Sequence, residues 1–106
     1  MLLNIGRNDL FDGVATATWE ANYQSIVSQL RAAGINLVHL MPIPEVTQNQ
    51  AALTSFINAT YPTDNKMDVT SAWVNATDLS GDNTHPIPAG ETLIATTVIA
   101  NSSFFM

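Results

Sequence analysis

The sequence predicts an α/β fold, a small parallel sheet with helices on both faces, and three observations carry that expectation. Two apolar runs, Leu2-Leu3-Asn4-Ile5 and Ile35-Asn36-Leu37-Val38-His39-Leu40-Met41, lack the strict polar alternation of a strand with one wet face. Such runs suit parallel strands buried on both sides. Between them lies a helical period, with Trp19, Tyr23, Ile26, Val27 and Leu30 on one face. Strand then helix, repeated three times over short connectors, is the order of right-handed βαβ crossovers.

Taken in order, the first strand runs from Leu2 to Ile5 and stops at Gly6, and residues 6–16 read as a loop. The first helix starts near Thr18, with Thr16 or Thr18 as its cap, Glu20 and Arg31 complementing its dipole, and Gly34 ending it. The second strand, 35–41, ends at Pro42-Ile43-Pro44, because proline has no N–H for a ladder. Thr47 with Gln50 has the spacing of a capping box for a second helix, whose inward residues are Leu53, Phe56 and Ile57. Tyr61-Pro62-Thr63-Asp64-Asn65 is a turn, and 66–74 reads as a third strand through Met67, Val69 and Trp73. A polar loop over 75–88 leads to a closing helix, 89–100, with Leu93, Ile94, Thr97 and Val98 inward. There are no repeats, no low-complexity tract and no linker, so 106 residues make one domain.

Composition narrows the function classes. Three basic residues against nine acidic ones give a net charge of −6, the wrong sign for a phosphate-binding surface, and no nucleic-acid partner is expected. Lys66 and two arginines make no polybasic membrane anchor. The apolar stretch 35–43 is far shorter than a membrane span and contains His39. With no cysteine, thiol catalysis, disulfides and Cys-ligated zinc are excluded. Two histidines without regular spacing make no zinc site, and without a G-x-G-x-x-G or Walker loop no nucleotide cofactor is implied. The 78–82 stretch faintly resembles a calcium loop, but its glycine is misplaced and Ala89 stands where a bidentate Glu is needed.

Functional loops of open parallel sheets lie at the carboxyl ends of the strands. Here these are 6–9, 42–45 and 78–88, of which the first and last concentrate polar residues. In Asp82-Asn83-Thr84-His85, an aspartate three residues before a histidine on one tight loop is placed to orient the imidazole, leaving the other ring nitrogen as a general base. Asn8, just after a strand, is placed to donate from its amide to a developing oxyanion, or simply to cap a turn. His39, inside an apolar strand, reads as a satisfied core histidine, and Glu45 as an exposed helix cap.

Together these blocks resemble the SGNH/GDSL hydrolases, a family of serine esterases and lipases. Leu3-Asn4-Ile5-Gly6-Arg7-Asn8-Asp9 looks like that family's G-x-N-D block at a strand-to-loop junction. The run from Asp82 to Ala95 is similar to its last block, D-x-x-H-P followed by a glycine and a closing helix, with Pro86 and Gly90 part of the likeness. The helix, the Ala33-Gly34 break, the second strand and the proline-rich turn between them also fit, so the similarity runs over essentially the whole chain. The resemblance implies part of a flavodoxin-like doubly wound parallel sheet, three strands alternating with three helices. It implies hydrolysis of a small-molecule carboxylic ester through a serine acyl-enzyme, with no cofactor. Asn8 would be an oxyanion donor, His85 the general base and Asp82 its orienting acid, while Gly6 admits the backbone and Asp9 braces the loop.

The family's nucleophile, in a G-D-S block, and its oxyanion glycine precede the G-x-N-D block, where this sequence has only Met1 to Asn4. Ser80 lacks the family's setting after the first strand. The expectation is therefore an N-terminally truncated domain over 1–106, the C-terminal part of such an esterase, inactive alone and prone to self-association through an exposed sheet edge at Leu2–Ile5. The alternative is a small non-catalytic α/β binding or structural domain derived from this fold.

Overall fold

In the computed structural model, which describes residues 1–43, 50–78, 80–81 and 85–105, three short strands pair in parallel. They are β1 (Leu2–Leu3), β2 (Val38–Leu40) and β3 (Lys66–Met67), in the order β1-β2-β3. β2 is the centre: Val38 N–H donates to Met1 O on one side, and His39 and Met41 N–H donate to Asn65 O and Met67 O on the other. Leu2 registers with Val38, Leu3 and Lys66 with His39, and Met67 with Leu40. Among the described residues β1 is hydrogen-bonded to a strand on one side only.

Because side chains alternate along a strand, this register sorts the residues into two faces. Leu3, Leu37 and Met41 join one core with Trp19, Tyr23 and Val27 of α2 (Thr16–Ala32) and with Leu53, Phe56 and Ile57 of α3 (Ala51–Thr60). Trp19 and Tyr23 meet the Phe56 ring edge-to-face, at 5.2 and 5.4 Å between centroids. The opposite face buries Val38, Leu40 and Met67 under Leu2, under Val98 of α5 (Pro88–Ala100) and under Phe104 and Phe105 of a 3₁₀ turn (Ser102–Phe105). The chain is thus an α/β fold with helices on both faces of a parallel sheet, as its buried apolar strands predicted. No helix of the described residues is long and apolar enough to cross a membrane.

Several local expectations are corrected. Residues 6–16 are not all loop. Gly6, at φ +99°, reverses the chain into α1 (Arg7–Phe11), where Asp9 complements the first-turn dipole and Asp12 N–H closes on Asn8 O at 2.8 Å. A further short helix, α4 (Asn75–Asp78), interrupts the expected polar loop, so three strands do not alternate with only three helices. The third strand is two residues long, because the chain turns into a 3₁₀ segment at Thr70–Ala72. There Asp68 Oδ1 accepts from both the backbone N–H and the hydroxyl of Thr70, a local bond that competes with a ladder.

Neither Thr16 nor Thr18 caps α2: Ala15 holds the N-cap position without a side-chain bond, and Thr16 is already the first helical residue. Ile26 is 39% exposed, since the buried stripe narrows to Trp19, Tyr23 and Val27 at i, i+4 and i+8. Gly34 does end α2. At φ +76° it forms a Schellman motif, with Ile35 N–H to Leu30 O and Gly34 N–H to Arg31 O. For α3 the capping box fails, because Gln50 is itself the N-cap residue rather than the third helical one; Thr47 and Glu45 lie outside the described residues.

Candidate functional site

A cavity of about 490 Å³ opens where β1 and β2 end, at the carboxyl edge of the sheet. That size is within the range of small-molecule sites. All three loops expected there contribute: Asn4 to Asp9 after β1, Pro42 and Ile43 after β2, and His85 and Pro86 before α5. Leu40, Met41 and Ile94 complete an apolar wall, and Gln50 enters from the start of α3.

Asn8 and His85, from opposite ends of the chain, therefore face one cavity. Asn8 is exposed on the first turn of α1, and Arg7 Nη1 donates to its Oδ1 at 3.3 Å. The Arg7 guanidinium in turn lies over the Phe11 ring, 5.0 Å from its centroid. Gly6 is required beneath this loop twice over. Its positive φ suits no β-carbon, and a β-carbon there would approach Leu53 Cδ1 at 3.1 Å.

His85 is exposed and is positioned through its backbone: Ser80 N–H donates to His85 O at 2.8 Å, and Ile87 N–H donates to Asp78 O at 3.0 Å. Asp78, buried, also caps α4 by accepting Val74 N–H on its carboxylate at 2.7 Å. The same Asp78 carbonyl lies against α5, where a β-carbon on Gly90 would fall 2.4 Å from it and 2.9 Å from the Trp73 ring. Asp78 and Gly90 thus fix where His85 emerges. Asp82 lies outside the described residues. Among the described lining there is no serine, threonine or cysteine, and Ser80 is not part of it. No group of three or more His, Asp or Glu able to hold a metal occurs among the described residues.

The sequence marks Gln50 only as a capping residue. It is 8% exposed, and its Nε2 has no hydrogen-bond partner.

A second polar cluster lies elsewhere, around the other histidine. His39 is fully buried, with Nδ1 2.8 Å from Tyr23 Oη and Nε2 2.8 Å from Asp64 Oδ2. Arg31 pairs with the same carboxylate oxygen, and Tyr61 stacks on the imidazole at 4.7 Å. Burial pushes the Tyr23 hydroxyl far above its ordinary range, reinforced by the nearby Tyr61 and Asp64. Burial alone would raise the Asp64 carboxyl too, but the His39 hydrogen bond and the Arg31 charge outweigh it and hold the group below its usual value. An ionised Asp64 accepts a hydrogen bond from Nε2–H and a neutral Tyr23 donates to Nδ1, so both ring nitrogens are used. This histidine is built into the core.

Comparison with protein-family models, with curated proteins and with solved structures returned no match for the chain.

Proposed function

We propose that the cavity is the oxyanion-donating and general-base half of a serine ester-hydrolase site, on a sheet of the flavodoxin-like, doubly wound kind. The observation that supports it most is the convergence of Asn8 and His85 on one cavity at the carboxyl edge of a parallel sheet. In this reading His85, oriented by Asp82, takes the proton of an attacking serine hydroxyl as its oxygen bonds to the ester carbonyl carbon. Asn8 Nδ2 donates to the resulting oxyanion. The imidazolium then returns the proton to the departing alkoxide, and water, activated by the same base, releases the acid. The serine comes from polypeptide outside the described lining.

A fluorophosphonate probe and p-nitrophenyl acetate test this. The chain alone is expected to take no label and to hydrolyse no faster than free imidazole. Supplied with a segment carrying a Gly-Asp-Ser block, it is expected to label and turn over, and Asn8→Ala then to cost about 10²–10³ in kcat. Labelling of Ser80 in the chain alone, or indifference of the complemented activity to Asn8 and His85, sinks the proposal.

The lack of a hydroxyl nucleophile in the described lining favours a second reading, a non-catalytic binding domain using the same cavity. Ligand binding that persists unchanged with no turnover under any complementation would select it.

A further inference from the structure

Met1 O accepts from Val38 N–H, and Leu2 and Leu3 register with Val38 and His39, so Met1 and Leu3 turn their backbone groups toward β2. Successive residues of a strand direct these groups to opposite sides, which leaves the N–H and C=O of Leu2 and Asn4 facing away from β2. Among the described residues no backbone group pairs with them on that side. Met1 and Asn4 are exposed, so this edge of the sheet meets solvent.

Nothing blunts the edge. Met1 to Ile5 holds no proline, no lysine and no other charged side chain, the devices that commonly protect edges from pairing. Such an edge is a template for an added strand. Charge decides which strand. A second copy would bring another −6 to the same place, whereas a basic segment meets a chain with nine acidic residues and three basic ones. Asn4 and Ile5 also line the cavity, so a strand laid beside β1 runs past the cavity's rim.

We propose that β1 is a docking edge for an extended, basic peptide segment of another protein, held by main-chain hydrogen bonds to the N–H and C=O of Leu2 and Asn4. The main-chain bonds supply affinity, and the charge supplies the preference for basic over acidic partners. The edge is separate from the chemistry assigned to Asn8 and His85, so failure of the esterase reading leaves it standing.

The probe is the blocked peptide Lys-Thr-Val-Lys-Val-Thr-Lys, titrated at low salt into the ¹⁵N-labelled full chain. The Leu2 and Asn4 amide resonances should shift saturably and, at saturation, exchange with solvent at least about tenfold more slowly. The same peptide with Glu in place of Lys should bind at least about tenfold more weakly, a gap that narrows as salt is raised. A version N-methylated at every residue should not bind, because its N–H donors are gone. Asn4→Pro removes one outward N–H and no bond to β2, so it should keep the near-UV circular dichroism and lose about tenfold in affinity. Equal binding of the basic and acidic peptides, binding of the N-methylated one, or Leu2 and Asn4 amides that do not move overturns the proposal. So do amides already slowed by pairing between copies of the chain without peptide.

Discussion

The chain's two histidines occupy opposite physical situations. His39 sits in the central strand with no solvent exposure, both ring nitrogens engaged by Tyr23 and Asp64, and an aromatic ring stacked on its face. His85 sits on a loop beside a cavity, exposed, held through its backbone by Ser80 and, two residues further on at Ile87, by the Asp78 carbonyl. The first is committed to the fold, because each nitrogen completes a neighbour that burial would otherwise penalise. The second has its ring where a substrate could reach it. The same residue type is enclosed in the core at one position and stands at a cavity at the other.

The largest expected effect breaks the structural side of that contrast. His39→Leu leaves the Tyr23 hydroxyl buried without its partner and strips Asp64 of one of two, so urea unfolding should show a loss of about 3 kcal/mol or more. His85→Ala should change stability by less than about 0.5 kcal/mol, as exposed substitutions do. If the two losses are equal, the contrast is wrong.

Next comes the backbone that places His85. Gly90→Ala drives a methyl into the Asp78 carbonyl and the Trp73 ring, and should cost about 2–3 kcal/mol. It should also shift the His85 resonances. Gly81→Ala, with open space around its β-carbon, should cost almost nothing and is the control.

The smallest effects sharpen the account of the buried cluster through pH. Asp64 is more acidic folded than unfolded, so its contribution to stability is full above its ordinary value of 3.8 and fades as pH falls through the lower folded value. Asp64→Asn should flatten that acid limb. Both tyrosines are raised above their ordinary value of 10.0, chiefly by burial, so the native state holds protons that the unfolded state releases. Stability should therefore decline as pH rises past 10, and tyrosinate absorbance near 295 nm should appear only as the chain unfolds. Normal titration of either tyrosine in the native state would refute its burial.

Much of this arrangement could be read without coordinates. The non-alternating runs at Leu2 and Ile35 indicated strands covered on both sides, and the stripe through Trp19, Tyr23 and Val27 marked the inner face of α2. Those are periodic signals, and burial enforces them over many residues at once. Gly34 showed the helix end, because a left-handed residue is needed there whatever surrounds it. The polar loops at the strand ends indicated where Asn8 and His85 would lie, since connection rules for parallel sheets place them at one edge.

What sequence reasoning missed depends on partners distant in the chain. Nothing near Gln50 says that its amide is orphaned; that follows from how α3 docks beside the cavity. Nor does the local pattern at Asp78 show a carbonyl pressed so closely on α5 that only glycine fits at 90, or that at Phe104 and Phe105 a hidden cover for the sheet. His39 was legible as a core residue, but Tyr23 and Asp64 as its partners were not, because they come from a helix and a turn that only the packed sheet brings together. The sequence by itself determined the longer periodic elements, the two apolar strands and the helices around Trp19, Phe56 and Val98, because those follow from local periodicity and backbone chemistry, but not the short α1 and α4 or the early end of β3. Tertiary structure alone decided which polar atoms are satisfied, which are left unpaired, and which of two histidines is enclosed by the core and which stands at the cavity, because hydrogen-bond satisfaction belongs to pairs and not to residues.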